Sequence, residues 1–355
     1  MRILYGIFAQ GHGHFSKAAV LLPLLEASGH EVRVVSSGAD KPPAGYNFPW
    51  HRHFPGLSYV VTNGRTDYRK SVIKWARETP RVMGHLWKLR SLVREFEPDI
   101  ILSDFEPLTA SPFLSANCEV VALSRQVALF DRSIPLPDEM GFERKMTRTA
   151  VRLFTSGADR LYGYHYEPAS FRCVPPVIRT ELSGVQPEDG DHIFVYNQFH
   201  TSDGGSAEEL VSWARRNRQM VLAYGFSGVE RGRQGPVEFR PPHRQGMLDD
   251  MRTARAVITT AGLSTPLEAF LLEKPVCTVP IPGHWEQVVN AFHLDVAGIA
   301  TRSNTWDYDR LLDTAPPSPD HALYSWLRTP AKNILNYILD DGPLEVGPSK
   351  RELAA

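Results

Sequence analysis

The stretch from Val257 to Asn290, VITTAGLSTPLEAFLLEKPVCTVPIPGHWEQVVN, limits the possible folds more than any other part of the chain. A short β-rich run ends in small residues, turns at Gly262-Leu263-Ser264-Thr265 and continues as a helix from Pro266 to Glu273. Lys274-Pro275 ends that helix, because the residue before a proline is pushed out of the α region, and Val276 to Val279 reads as the next strand. Strand, helix and strand in succession belong to an α/β layer. A helix start made of Gly, Ser and Thr presents unpaired backbone N–H groups and the positive end of the helix dipole, which suits a phosphate or diphosphate. Thr265-Pro266-Leu267-Glu268 reads equally as a capping box, with Thr265 as N-cap, so two roles are open to Glu268, cap and ligand. Pro280-Ile281-Pro282-Gly283 leads into a second helix near Glu286, whose first turn carries Glu286, Gln287 and Asn290 at the spacing of one helix face.

A chain of 355 residues is long for one core and suits two domains. Its 42% apolar and 22% charged residues are those of an ordinary globular protein, and a net charge of −1 sets aside a dedicated nucleic-acid binder, which carries a basic excess. Cys118, Cys173 and Cys277 form no Cys-x-x-Cys pair; that excludes a disulfide scaffold or cysteine zinc site and fits a reducing compartment. Ile3 to Ala9 is too short for a signal sequence and reads as a first strand, and no apolar run approaches the roughly 18 residues that span a bilayer. A cytoplasmic location is the expectation.

Arg2 to Phe8 reads as a buried strand, Ala9 to Ser16 as a glycine-rich loop, Lys17 to Ala27 as a helix and Glu31 to Ser36 as a second strand. A dinucleotide fingerprint fits poorly, because Ser16 replaces its third glycine and Val35-Ser36-Ser37 supplies no acid for a ribose hydroxyl. The loop's histidines carry its chemistry, since a neutral imidazole can take the proton of an attacking hydroxyl. Both His12 and His14 are candidates, and a role in merely holding the loop is open to either. Ile100 to Leu102 is a buried strand whose C-terminal end carries Asp104 and Glu106, where open α/β sheets place ligands. Three roles are open to Asp104: orienting a histidine, acting as base, or capping a following helix. Val120 to Leu123 is another strand, ending near Gln126.

Between these strands, His51 and His53 are two residues apart, which without further ligands is weak for a metal, and they read as exposed loop histidines. Arg81 to Phe96 is an amphipathic helix with Val82, Leu86, Leu89, Val93 and Phe96 as its core stripe. Trp87 among its basic residues fits a membrane surface or a solvated face. Thr180 to His192 is rich in Pro, Gly and acids and breaks the pattern as a linker does. Asp189-Gly190-Asp191 and Asp307-Tyr308-Asp309 read as turns, so no metal is implied. Ile193 to Tyr196 opens a second parallel sheet with Asn197-Gln198 at its end, and Ala322 to Leu339 is a helical tail.

Gly262, Ser264, Thr265, Glu268, Lys274-Pro275, Pro280, Glu286-Gln287 and Asn290-Ala291, in that order and spacing, resemble the donor signature of GT-B glycosyltransferases that use UDP-sugars. That superfamily includes the plant-type UDP-glycosyltransferases and the lipid II-forming N-acetylglucosaminyltransferase of bacteria. The loop with His14 is similar to the family's first loop, and Ser103-Asp104-Phe105-Glu106-Pro107 to a bacterial and archaeal subgroup. The resemblance implies an α/β GT-B fold, two Rossmann-like domains with parallel sheets facing across a cleft. Residues 1–179 would bind the acceptor, 180–192 form the linker and 193–321 bind the nucleotide sugar. Residues 322–355 would cross back to the first domain, with Trp326 and Tyr337 at that contact.

By the same resemblance Gly262, Ser264 and Thr265 hold the diphosphate, Glu268 the ribose, and Glu286 and Gln287 the sugar, with His284 and Asn290 beside them. His12, Glu106, Gln126 and the stretch from Tyr46 to Arg69 contact the acceptor, and His14 with Asp104 provides the base. Departures from the family pattern are Ala261 before Gly262, Thr260 where plant-type members carry a phosphate-binding histidine, and Lys17 after Ser16. The activity implied is inverting, metal-independent transfer of a hexose or N-acetylhexosamine from a UDP-sugar to an acceptor hydroxyl. No cofactor beyond the UDP-sugar substrate and no nucleic-acid polymer is implied, while the acceptor, the oligomeric state and peripheral membrane contact stay open. Two alternatives share the architecture: a UDP-sugar 2-epimerase, and a non-catalytic protein that keeps the nucleotide-sugar site.

Overall fold

The computed structural model describes residues 1–62, 65–131, 133–138, 141–169, 172–197, 205–226, 228–318, 321–340 and 343–346. They fall into two units, the first made of Met1–Val60, Asp67–Arg179 and Thr329–Val346, the second of Val61–Thr66 and Thr180–Arg328.

The first unit opens β1 (Arg2–Ala9), α1 (Gly13–Ala27), β2 (Glu31–Gly38) and β3 (His51–Pro55). After a two-stranded ribbon of β4 (Val60–Thr62) and β5 (Arg65–Asp67), whose Val61–Thr66 is grouped with the second unit, come α2 (Tyr68–Phe96), β6 (Ile100–Asp104) and β7 (Glu119–Ser124). Then follow α3 (Gly141–Phe154), β8 (Arg160–Tyr164) and β9 (Cys173–Val174). The sheet order is β3-β2-β1-β6-β7-β8-β9, and every pair is parallel. Parallel strands are covered on both faces, which is why β1 and β6 are near-continuous apolar runs and not alternating ones. On one face Leu86, Leu89, Leu92, Val93 and Phe96 of α2 pack against Leu4, Val35 and Ile101. At Gly6 an added Cβ would lie 2.2 Å from Thr109 Oγ1, so only glycine lets the turn after β6 close over β1.

The second unit contains β10 (His192–Tyr196), α4 (Ala207–Asn217), β11 (Met220–Tyr224), β12 (Gly232–Gln234), β13 (Val237–Arg240) and α5 (Arg244–Arg252). It continues through β14 (Ala256–Thr260), α6 (Ser264–Leu271), β15 (Val276–Val279), α7 (Trp285–Val296), β16 (Thr301–Arg302), α8 (Tyr308–Leu312) and α9 (Tyr324–Leu327). Its sheet runs β12-β13-β11-β10-β14-β15-β16, parallel except for the antiparallel edge strand β12. In each sheet the unit's first strand, β1 or β10, lies inside. The chain builds outward on one side, then returns to build on the other from β6 or β14. Those reversals are the topological switch points, and ligands of open α/β sheets sit outside the strand ends there.

Several expected boundaries move. The helix expected from Arg81 begins at Tyr68 and runs through Pro80; Asp67 caps it by accepting from the Lys70 N–H at 2.9 Å. The segment 180–192, expected as a linker, is fastened to the second unit. Glu181 pairs with Arg244 at 2.9 Å, Glu188 with Arg252, and Lys274 Nζ donates to the Glu188 carbonyl at 2.6 Å. The expected single tail helix divides at Thr329-Pro330: α9, with Trp326, belongs to the second unit, and α10 (Ala331–Asp340) belongs to the first. There α10 packs on α1, and the Tyr337 ring lies 5.4 Å from that of Tyr162. Trp326, expected beside Tyr337, is a buried residue of the second unit.

Candidate functional site

At the switch point of the first unit, α1 starts at Gly13, four residues before the expected Lys17, so His14 lies in its first turn with Lys17 one turn further on the same face. His14 Nδ1 is 2.8 Å from Oδ1 of Asp104, and Lys17 Nζ is 2.8 Å from the same oxygen. Asp104 ends β6 and is 1% exposed; Lys17 is also buried, its ammonium 4.6 Å over the Tyr164 ring. Burial alone would raise the Asp104 carboxyl. The opposing charges and hydrogen bonds of His14 and Lys17 outweigh it and hold the group below the usual carboxylate range. An ionised carboxylate only accepts hydrogen bonds, so His14 donates from Nδ1, which leaves Nε2 as the position where the ring can gain or give up its other proton. Phe105 stacks along the His14 ring at 6.3 Å and Phe8 meets it edge-on at 6.0 Å.

Asp104 is not a helix cap. Phe105 takes a left-handed φ of 56° and the chain folds into a turn fixed from inside by Glu106. The Glu106 carboxylate accepts from the N–H groups of Leu108 at 3.0 Å and Thr109 at 2.7 Å, and from the Ser37 hydroxyl. Glu106 was expected at the acceptor. Fully buried and held by the turn's own donors, it fixes the backbone that aims Asp104 instead; desolvation raises its carboxyl despite those bonds. Gln126 is buried in a 3-10 turn, Gln126–Phe130, after β7. His12 stands exposed at the start of α1 with its ring 5.9 Å from Tyr46, and the carboxylate contact falls to His14.

His51 and His53 are strand residues of β3 and not loop histidines. Ser36 Oγ lies 2.7 Å from His51 Nε2 and 2.8 Å from His53 Nδ1, and His53 Nε2 is 2.8 Å from the Ala39 carbonyl. The carbonyl can only accept, so neutral His53 carries its proton on Nε2, Ser36 donates to His53, and His51 donates to Ser36. Burial lowers both imidazoles below their ordinary value, which keeps this string neutral.

At the switch point of the second unit, β14 ends at Thr260, and Gly262 closes the turn by donating to the Thr260 carbonyl at 2.8 Å. Helix α6 starts at Ser264 with Leu263 as its N-cap and no side-chain cap. This overturns the capping box: Thr265 and Pro266 lie within the first turn, where a proline lacks only an N–H that needs no helical partner, and Glu268 falls a turn inside, buried. Helix α1 is equally bare, whereas α2, α4, α5 and α7 are capped by Asp67, Ser206, His243 and His284. The two helices that open at the switch points, α1 and α6, therefore have no side-chain cap on their first N–H groups.

The surrounding donor candidates support this turn. Asn290 Nδ2 donates to the Ala261 carbonyl at 3.2 Å, and Gln287 Oε1 accepts from the Ile281 N–H at 3.1 Å, so α7 holds both flanking turns. Glu286, half-buried, lies in the first turn of α7. Burial lowers His284, and the neutral ring accepts from the Gln287 N–H at 3.4 Å. A small, shallow recess adjoins, lined by Asn197, Thr260, Pro280, Ile281, Asn304 and Trp306. Gln198 lies outside the described residues. Among the described residues no three His, Cys, Asp or Glu side chains converge as a metal cage requires. Lys17 was given no role on sequence; its three-residue spacing from His14 on a helix was the available signal.

The family model for glycosyl transferase family 1 matches residues 1–314. A search of curated proteins found no match. Among solved structures, the glycotransferase of kitacinnamycin superposes with a TM-score of 0.61 at 16% identity, over 96% of this chain and 99% of that one. Phytolacca americana UGT2, solved with UDP-2-fluoro-glucose and pterostilbene, gives 0.58 at 14%, over 99% and 98%. The Streptomyces sp. SF2575 glycosyltransferase SsfS6, solved with thymidine diphosphate, gives 0.53 at 15%, over 88% and 89%.

Proposed function

The chain belongs to glycosyl transferase family 1 and has the GT-B fold, and on that premise we propose that it moves a hexose or N-acetylhexosamine from a UDP-sugar to an acceptor hydroxyl with inversion at the anomeric carbon. The observation that carries this reading is the 2.8 Å contact between His14 Nδ1 and Asp104 at a strand end; with Nδ1 donating to the carboxylate, Nε2 is the nitrogen that serves as base. His14 takes the proton of the acceptor hydroxyl as its oxygen attacks the anomeric carbon. The bond from that carbon to the diphosphate oxygen breaks, and its electron pair leaves with the diphosphate. The uncapped start of α6, with the Ser264 and Thr265 hydroxyls, receives the growing negative charge, so a metal is not needed for that step. Glu268, Glu286 and Gln287 read the ribose and the sugar, and His12 and Gln126 contact the acceptor.

Two of the related structures contain a nucleoside diphosphate, one as UDP-2-fluoro-glucose and one as thymidine diphosphate; the signature around Gly262 and Glu268 supports the uridine form here. Incubation with a panel of UDP-sugars and acceptor alcohols should give a β-glycoside from an α-linked donor, read by NMR, at a rate unchanged by EDTA. His14→Ala should lower kcat about 100-fold or more. An unchanged kcat removes His14 from the chemistry, and an epimerised sugar nucleotide formed without acceptor replaces transfer with epimerisation.

A further inference from the structure

Helix α2 has two apolar faces, and the fold uses one. Leu86, Leu89, Leu92, Val93 and Phe96 bury the first in the core of the unit. On the other side Val72 is 46% exposed, Ile73 52%, Met83 42% and Trp87 62%, four of the ten large hydrophobic residues exposed among the described residues. At 3.6 residues per turn, Val72, Ile73, Ala76, Pro80, Met83 and Trp87 fall within an arc of roughly 100° that runs along some four turns of the helix. This is one continuous stripe and not scattered surface leucines, and a contiguous exposed stripe of this kind marks a contact surface.

Beside it, on the adjoining arc, stand Arg77, Arg81 and Lys88, all exposed and none with a carboxylate partner among the described residues. Nearby, Arg90 lies 4.7 Å over the Trp87 ring. The acid of this stretch, Glu78, is turned away toward the core side and faces Lys74 at 3.9 Å. An apolar strip edged by unpaired bases, with a tryptophan at one end, matches a surface that is apolar beneath and anionic on top.

We propose that the exposed face of α2 seats the first unit on an anionic lipid bilayer, with the Val72–Trp87 stripe in the acyl boundary and Arg77, Arg81 and Lys88 among the headgroups. Charge decides between this partner and a second copy of the chain: two such faces brought together would place unpaired bases against bases. The inference does not depend on the acceptor or on the donor nucleotide.

The test is co-sedimentation of the full chain with vesicles of two parts phosphatidylcholine to one part phosphatidylglycerol, beside vesicles of phosphatidylcholine alone. Binding is expected to the anionic vesicles and to weaken steeply with salt. Met83→Ser with Trp87→Ser should lower the partition constant about tenfold or more through lost apolar burial. Arg77→Gln, Arg81→Gln and Lys88→Gln together should lower it about 100-fold on anionic vesicles. These side chains are exposed, so circular dichroism and the thermal midpoint should match the parent for both variants. The inference is overturned if the parent chain stays in the supernatant at low salt, if the variants bind as well as the parent, or if sedimentation shows a dimer that the serine variant turns into monomer.

Discussion

The two switch points share one topology and carry opposite chemistry. In the first unit the ends of β1 and β6 bring together three ionisable groups, His14, Lys17 and Asp104, two of them buried. At the matching place in the second unit the ends of β10 and β14 present Asn197, Thr260, Ser264 and Thr265, neutral groups around a bare helix start. A proton acceptor needs its imidazole held in one tautomer, and a buried carboxylate does that. A diphosphate needs N–H groups with no carboxylate competing for them, and an uncapped helix after a glycine turn supplies those. On the proposed reading, one fold repeated in a chain is given two tasks by exchanging a few residues at strand ends, the sheets staying alike.

Three measurements would break or sharpen that contrast. The largest expected effect comes from Lys17→Met, which leaves Asp104 buried with half its compensation. Denaturant unfolding should show a loss of about 3 kcal/mol, with Lys17→Arg retaining most of the stability. Stability unchanged by the methionine would mean the charges in the first unit are not structurally coupled. Next is Ser264→Asp, which puts a carboxylate at the start of α6. Helix dipole arguments make it stabilising by about 0.5 kcal/mol, yet the donor KM should rise about tenfold through repulsion of the diphosphate, with the acceptor KM unmoved. A donor KM that stays put would take the diphosphate away from this helix.

The smallest effect concerns acid. Burial holds His51, His53 and His85 of the first unit below their ordinary value, against His284 in the second. A histidine lowered in the folded state binds fewer protons there than in the unfolded chain. Its stabilisation is therefore complete above the ordinary value near 6.5 and is lost as pH falls from there through the folded value. Hydrogen exchange between pH 7.5 and 5.5 should lose protection first in β2 and β3, with the thermal midpoint falling by about 2–4 °C. His51→Gln with His53→Gln should flatten that slope. Equal losses in both units would refute the asymmetry.

Much of this was legible in the chain. The run from Val257 to Asn290 showed strand, turn, helix and strand because apolar period, a glycine turn and Lys-Pro punctuation all act within a few residues. The pairing of a loop histidine with the acid after Ile100–Leu102 was also expected, although which histidine stayed open. The errors fell where distant residues decide. Thr265 resembled an N-cap because local chemistry favours it, but the turn closing on Thr260 starts α6 earlier. Glu106 resembled a ligand group until Ser37, on a strand 69 residues away, and the Thr109 amide occupied its carboxylate. His51 and His53 read as loop residues because Ser36, their shared partner, belongs to another strand.

By itself the sequence determined the α/β class, the two successive sheets and the composition of both strand-end loops, since each follows from periodicity and turn chemistry within a window of a few residues. Only the tertiary structure chose His14 over His12, enlisted Lys17, turned Glu106 inward and left one apolar face of α2 uncovered. Those outcomes depend on which strand lies beside which, and contacts between residues some ninety positions apart leave no mark on local pattern.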